Sequence, residues 1–311
     1  MTIKDRGSVL KKEISSLLLL FGTLMFGLVL SGDVSEYIKE GLALSVGCVI
    51  PSSFPFMIIS DMYVCYGKPE NIRLLRRAFT FLFGLPPSAL APFICGNIGG
   101  FPIGAKMASE CYSAGSLTKD EAERLIPLSN NPSCAFIVGG VGLGIFGDLK
   151  IGLMLLFSLY SATVICGILT RGKIDKKCKS GVNIGQNYDF ISSVKNSGLN
   201  SISIISFISL FSAINGILKK CIKNTPILYI ISAFCEVTNA VKIFASDSHI
   251  PPYFSLVFSA FALGFGGICV GLQSAVFTSA SGLKMKKYYL IKLLNAIIAA
   301  CVFSILLVIT K

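Results

Sequence analysis

The chain contains no tryptophan, and His249 is its single histidine. A lone histidine excludes the multi-histidine centres of most zinc and non-haem iron enzymes. The 11 cysteines do not supply a metal site either: no CxxC occurs, and none lies close to His249. HExxH, GxSxG and paired-aspartate motifs are missing as well. The reading is therefore a non-enzyme without a resident cofactor. Charge is scarce too. Asp, Glu, Lys and Arg make up 14% of the residues against 53% hydrophobic, whereas a soluble chain averages about 25% charged. Most cysteines (Cys48, Cys95, Cys134, Cys166, Cys235, Cys269 and Cys301) fall inside apolar runs, where cysteine serves as a small packing residue.

What the sequence does have is a series of apolar runs long enough to cross a bilayer. The net charge of +12 gathers between those runs, which is the positive-inside pattern, so nucleic acid is not the expected partner. Lys4, Arg6, Lys11 and Lys12 precede Ile14–Leu30, read as a retained first span with a cytoplasmic N-terminus. Gly41–Val64 returns, kinked at Pro51–Pro55, and Asn71–Phe83 follows as a helix starting at the surface. Thr118-Lys119-Asp120-Glu121 has the capping-box pattern and predicts a helix from Lys119. Further helices are expected at Lys150–Thr170, Leu199–Leu218, Pro226–Ala245, Tyr253–Ala280 and Tyr288–Thr310. Residues 171–198, with Arg171, Lys173, Lys176, Lys177 and Lys179, form a basic cytoplasmic linker between a first half, 1–170, and a second half, 199–311.

Pro86–Lys106 organises the rest. It is apolar, yet four prolines and four glycines break it. Such a stretch cannot be one plain span, and broken backbone at membrane depth must line a cavity or be covered by protein. The expectation is a hairpin over 82–107: two half-helices meeting at Gly96–Gly100, with Pro102 opening the second. Free amides of Gly99, Gly100 and Phe101 at a half-helix start, with Lys106 one turn on, would attract a carboxylate. Asn97, Asn130 and Asn131 can donate and accept together, at the hairpin and at the second break, Ser129–Pro132. Glu236, read as lying inside an apolar helix, is a candidate for a coupling proton or sodium, with Thr238 and Asn239 beside it.

A second glycine-rich segment, 253–280, repeats the pattern of the first. Gly99–Lys106 and Gly266–Gln273 both read GG-x-x-[IV]-G-x-[KQ], at an offset of 266 − 99 = 167 residues. Gly115 and Gly282 agree at the same offset, which suggests two pseudo-repeats and makes Gln273 the partner of Lys106. Paired interrupted segments are the sequence mark of a transporter site at the midplane. The fold class expected is all-α membrane: a polytopic helical transporter with broken or re-entrant helices. Its partners would be a small-molecule anion and membrane lipids, with a homo-oligomer left open.

GNIGGFPIGAK at Gly96–Lys106, LTKDEAERL at Leu117–Leu125, the Asn130-Asn131 pair, CEVTNA at Cys235–Ala240, GFGGICVGLQ at Gly264–Gln273 and YYLIKLLNA at Tyr288–Ala296 resemble the YlbJ family of sporulation integral membrane proteins. Gly271 departs from that pattern, where the family commonly has histidine. The family falls in the nucleoside-recognition gate-domain group and is similar to concentrative nucleoside transporters, which have two re-entrant hairpins. The resemblance implies movement of dipicolinic acid across the outer forespore membrane of an endospore former. A nucleoside or nucleobase transporter, and a non-transporting protein of cortex or envelope assembly, are the alternatives.

Overall fold

The computed structural model describes residues 31–66, 72–174, 189–222 and 225–310. The expected span Ile14–Leu30 and residues 175–188 of the linker lie outside these. All regular structure among the described residues is helical, and three single helices and one end-to-end pair are long and apolar enough to cross a membrane. The protein is an all-α polytopic membrane protein.

The first described crossing is bent. Helix α1 (Ser31–Leu44) widens into a π-helical turn, Ser45–Val49, and continues as α2 (Ile50–Tyr66). The two parts meet at 54°. Pro51 and Pro55 withhold backbone donors there, which accounts for the bend. Helix α3 (Arg73–Phe83) lies across the entry to the next segment, at 96° to it. Its arginines face outward, while Phe79 and Phe83 are buried against Phe93, with ring centroids 5.0–5.3 Å apart. Arg124 donates to the carbonyls of Phe83 and Gly84 and so closes the C-terminus of α3.

The expected hairpin is present as α4 (Leu90–Gly99) and α5 (Ile103–Ser113). Gly100 turns the chain at φ 85°, a left-handed value that glycine adopts without strain. The arms touch backbone to backbone, since a Cβ on Gly96 would lie 2.6 Å from Gly104 Cα. Helix α6 (Lys119–Ser129) begins with the expected capping box. It stops at Asn130 because Pro132 disfavours helical backbone at the residue before it. The path resumes as the π-helical stretch Phe136–Ile145, then turns back through α7 (Leu149–Leu169).

Helix α8 runs unbroken over Phe190–Cys221, so the end of the expected linker is already helical. Pro226–Ala245, expected as one helix, is two: α9 (Thr225–Cys235) and α10 (Val237–Ser246). Glu236 between them is extended (φ −153°, ψ 126°), and its carboxylate caps α10. The arms of this second hairpin meet again at their open end, where Tyr229 donates to Asp247. Helices α11 (Pro252–Phe265) and α12 (Gly267–Ala280) follow end to end as one interrupted crossing, and α13 (Lys286–Ile309) is the last.

Contacts between chain ends sort these elements onto two faces. On one face Ser88 donates to Ser116 O, Ser113 meets Ser281, Lys119 donates to Gly282 O, and Lys287 pairs with Asp120. On the other, Lys150 donates to Thr310 O, Tyr253 bonds to Ser304, and Lys220 pairs with Asp33. Hairpin α4–α5 therefore opens to the first face, and hairpin α9–α10 to the second. The first face carries Arg73, Arg76, Arg77, Arg171, Lys173, Lys284 and Lys286, the kind of cation cluster that the positive-inside bias associates with cytoplasmic loops.

The halves consequently repeat in inverted orientation. Each holds a hairpin, an interrupted crossing and an unbroken crossing: α4–α5, residues 119–145 and α7, then α9–α10, α11–α12 and α13. The offset of 167 residues aligns the tip of a hairpin, Gly99-Gly100, with the break in a crossing, Gly266-Gly267. These places are not equivalent in the fold. What the two glycine pairs share is a left-handed residue at a helix break, Gly100 at φ 85° closing α4 and Gly267 at φ 82° opening α12.

Candidate functional site

The two hairpin tips, entering from opposite faces, meet over a buried cavity. Gly100 and Phe101 line it from the first tip, Glu236 and Thr238 from the second, and Gln273 from α12. Ser53, Ser133 and Phe136 complete its polar and aromatic wall. Five of the residues singled out in the sequence thus converge. The cavity measures about 10 Å³, room for roughly one water. It is too small for a larger solute.

Local folding explains each group. Glu236 is 1% exposed, and its two oxygens accept from Thr238 N (2.9 Å) and Asn239 N (2.7 Å). The start of α10 therefore faces the cavity already capped by its own carboxyl group. Asn239 is held away by a 2.7 Å bond from its amide to Ser212 of α8. Gln273 donates to Cys269 Sγ, and its carbonyl oxygen is buried without a partner. That leaves one acceptor at the cavity wall for a donor on a solute.

The amides expected to be free at the first tip are engaged. Gly100 N donates to Gly96 O (2.9 Å), Phe101 N donates to Asn131 O (3.0 Å), and Gly99 is still within α4. Gly100 is satisfied by the last turn of α4 itself, and Phe101 by the break at Asn130–Pro132, which presents the Asn131 carbonyl to the tip. Lys106 is half-buried one turn into α5 and does not line the cavity.

Asn97, Asn130 and Asn131 lie behind the cavity in a polar network. Asn97 donates to Phe93 O and Leu128 O and accepts from Asn131 at 2.8 Å. Asn131 also donates to Thr163 of α7 (3.0 Å). Asn130 donates to Ser274 (2.8 Å) and to Tyr288 (3.1 Å). At the centre is Lys292, which the sequence reading passed over. It is 0% exposed and donates to Asn131 Oδ1 at 2.8 Å and to Asn130 O at 3.2 Å. Asn295 adds a 3.2 Å bond to Gly264 O, tying the network to the end of α11. The signal for Lys292 was a lysine inside an apolar run, but Lys286 and Lys287 just before it make it look like part of a surface cluster.

Among curated proteins the chain is similar to the sporulation integral membrane protein YlbJ of Bacillus subtilis (strain 168). The two are 24% identical over 317 aligned residues, covering 88% of this chain and 77% of the relative. No family model matches the chain. No solved structure matches it. The relative supports the YlbJ family to which the motifs pointed, at low identity.

Proposed function

We propose that the protein carries a small organic solute across a membrane of the sporulating cell, with the cavity between the hairpin tips as its binding site. One observation carries this reading: two re-entrant hairpins from opposite faces close on the same buried, partly polar cavity. Withdrawing one tip would open the cavity to one face only, which is the geometry that alternating access requires. Dipicolinate is the solute implied by the family resemblance, and a sporulation protein as relative agrees with it. Glu236 faces the cavity, so a dianion would enter with a proton for that carboxylate or for itself. The outer forespore membrane is the location that goes with this solute.

A second reading is favoured by the lining itself. Among the lining residues there is no lysine or arginine, while Glu236, Thr238, Gln273 and two phenylalanines match hydroxyls, amides and a flat ring. That chemistry suits a neutral nucleoside.

Labelled dipicolinate uptake into proteoliposomes, with uridine as competitor, separates the two. Uptake that uridine leaves unchanged is expected. Uptake blocked by uridine would select the nucleoside. No uptake of either, under any proton or sodium gradient, would overturn the transport reading.

A further inference from the structure

The cavity does not use Lys292, and its surroundings pose a separate question. The ammonium sits where α6 ends in mid-membrane, against Asn130 O, a carbonyl without a successor in its helix, and against Asn131 Oδ1. The side-chain oxygens of Asn130 and Asn295 are buried nearby in the same network and have no partner. Among the described residues no carboxylate pairs with Lys292. Neutral oxygens gathered at the C-terminal, negative end of a half-helix are the surroundings that transporters offer to sodium. Here the cation that fills them is covalently attached.

We propose that Lys292 is a built-in cation occupying a site whose oxygens would otherwise take a monovalent metal ion such as sodium. The site seats the first hairpin, because Asn131 passes from Lys292 directly to Asn97 on α4. With the lysine in place the hairpin is held without a bound metal ion, and a sodium gradient has no site to act on at this position. The inference does not depend on which solute is carried. Its readout is stability, so its failure and the failure of the transport reading are distinguishable.

The test is thermal unfolding of the purified full chain in lipid nanodiscs, in sodium chloride and in choline chloride at equal ionic strength. Wild type should unfold at the same temperature in both. Lys292→Ala removes the ammonium and leaves the oxygens. It should lose stability in choline chloride and regain on the order of 5 °C as sodium saturates the vacated site. Lys292→Met fills the space with an apolar chain and should stay low in both salts. Equal behaviour of the alanine and methionine variants, or sodium-specific stabilisation of wild type, would overturn the proposal. If Lys292→Ala yields no folded protein in choline chloride, Lys292→Ser, which adds an oxygen of its own, is purified in sodium. Recovery in sodium alone supports the site, and failure of both variants in sodium refutes it.

Discussion

At the scale of single residues, the tightest position among the described glycines is Gly104. A Cβ there would lie 2.0 Å from Ser129 O, the last carbonyl of α6, and that atom is backbone that cannot swing aside. Gly104→Ala should therefore push α5 away from α6 and cost about 1–3 kcal/mol or more, the range of overpacking in a close-packed interior. Gly139, with open space around its Cβ position, is the control. Gly139→Ala should be neutral or stabilise by up to about 1 kcal/mol through helix propensity. Thermal unfolding in lipid measures both, and an unchanged melting temperature for Gly104→Ala would contradict the packing described. Single residues also mark how far the sequence was legible. Clustered glycine and proline announce a break, so the turn at Gly100 and the stop before Pro132 were readable, whereas a lone Gly152 or Pro127 sits inside its helix. Whether an amide at such a break is free was not readable. Phe101 N is satisfied by Asn131 O, thirty residues on, and no local pattern encodes that bond. Lys292 was obscured in the same way, because its burial is decided by α6 and not by its own helix.

Among the elements, the second hairpin shows why the rest stayed hidden. The run from α9 to α10 has no glycine or internal proline at its turn, and by period alone it reads as one helix. Unwinding occurs at Glu236 because its carboxylate satisfies two amides at the start of α10, an N-cap that propensity does not foretell for glutamate. The hairpin is fastened at its open end. The Tyr229 hydroxyl, followed by the His249 amide, holds the Asp247 carboxyl down at about 2, against an ordinary value of 3.8. A carboxylate depressed in the folded state contributes stability above its unfolded value and loses it as the pH falls through the folded one. Tyr229→Phe should thus raise hydrogen exchange in α9 and α10 at neutral pH. The difference from wild type should shrink only as the pH drops from about 4 towards 2. The variant keeps the ring that packs on Phe244, so a difference that persists unchanged at the acid end would show that the hydroxyl fastens the hairpin whether or not Asp247 is ionised.

For the whole molecule, the inverted arrangement makes one demand: the halves must part at one face while they stay joined at the other. On the first face the seam is explicit. Ser113, at the end of hairpin α4–α5, stands 3.2 Å from Ser281, at the end of the interrupted crossing of the other half. Cysteines at these two positions would carry sulfur where these hydroxyls meet, and a disulfide forms there if the Cβ atoms come within about 3.5–4.5 Å. Oxidised Ser113→Cys/Ser281→Cys protein should lose solute uptake, and a reductant should restore it. Oxidised wild type is the necessary control, because Cys221 and Cys301 are exposed. The reversible loss would mean that this seam opens in each cycle and that the two repeats move against each other. Full cross-linking with unchanged uptake would instead confine the motion to the second hairpin. The first hairpin, with Lys292 behind it, would then be a fixed wall against which α9–α10 alone opens and closes.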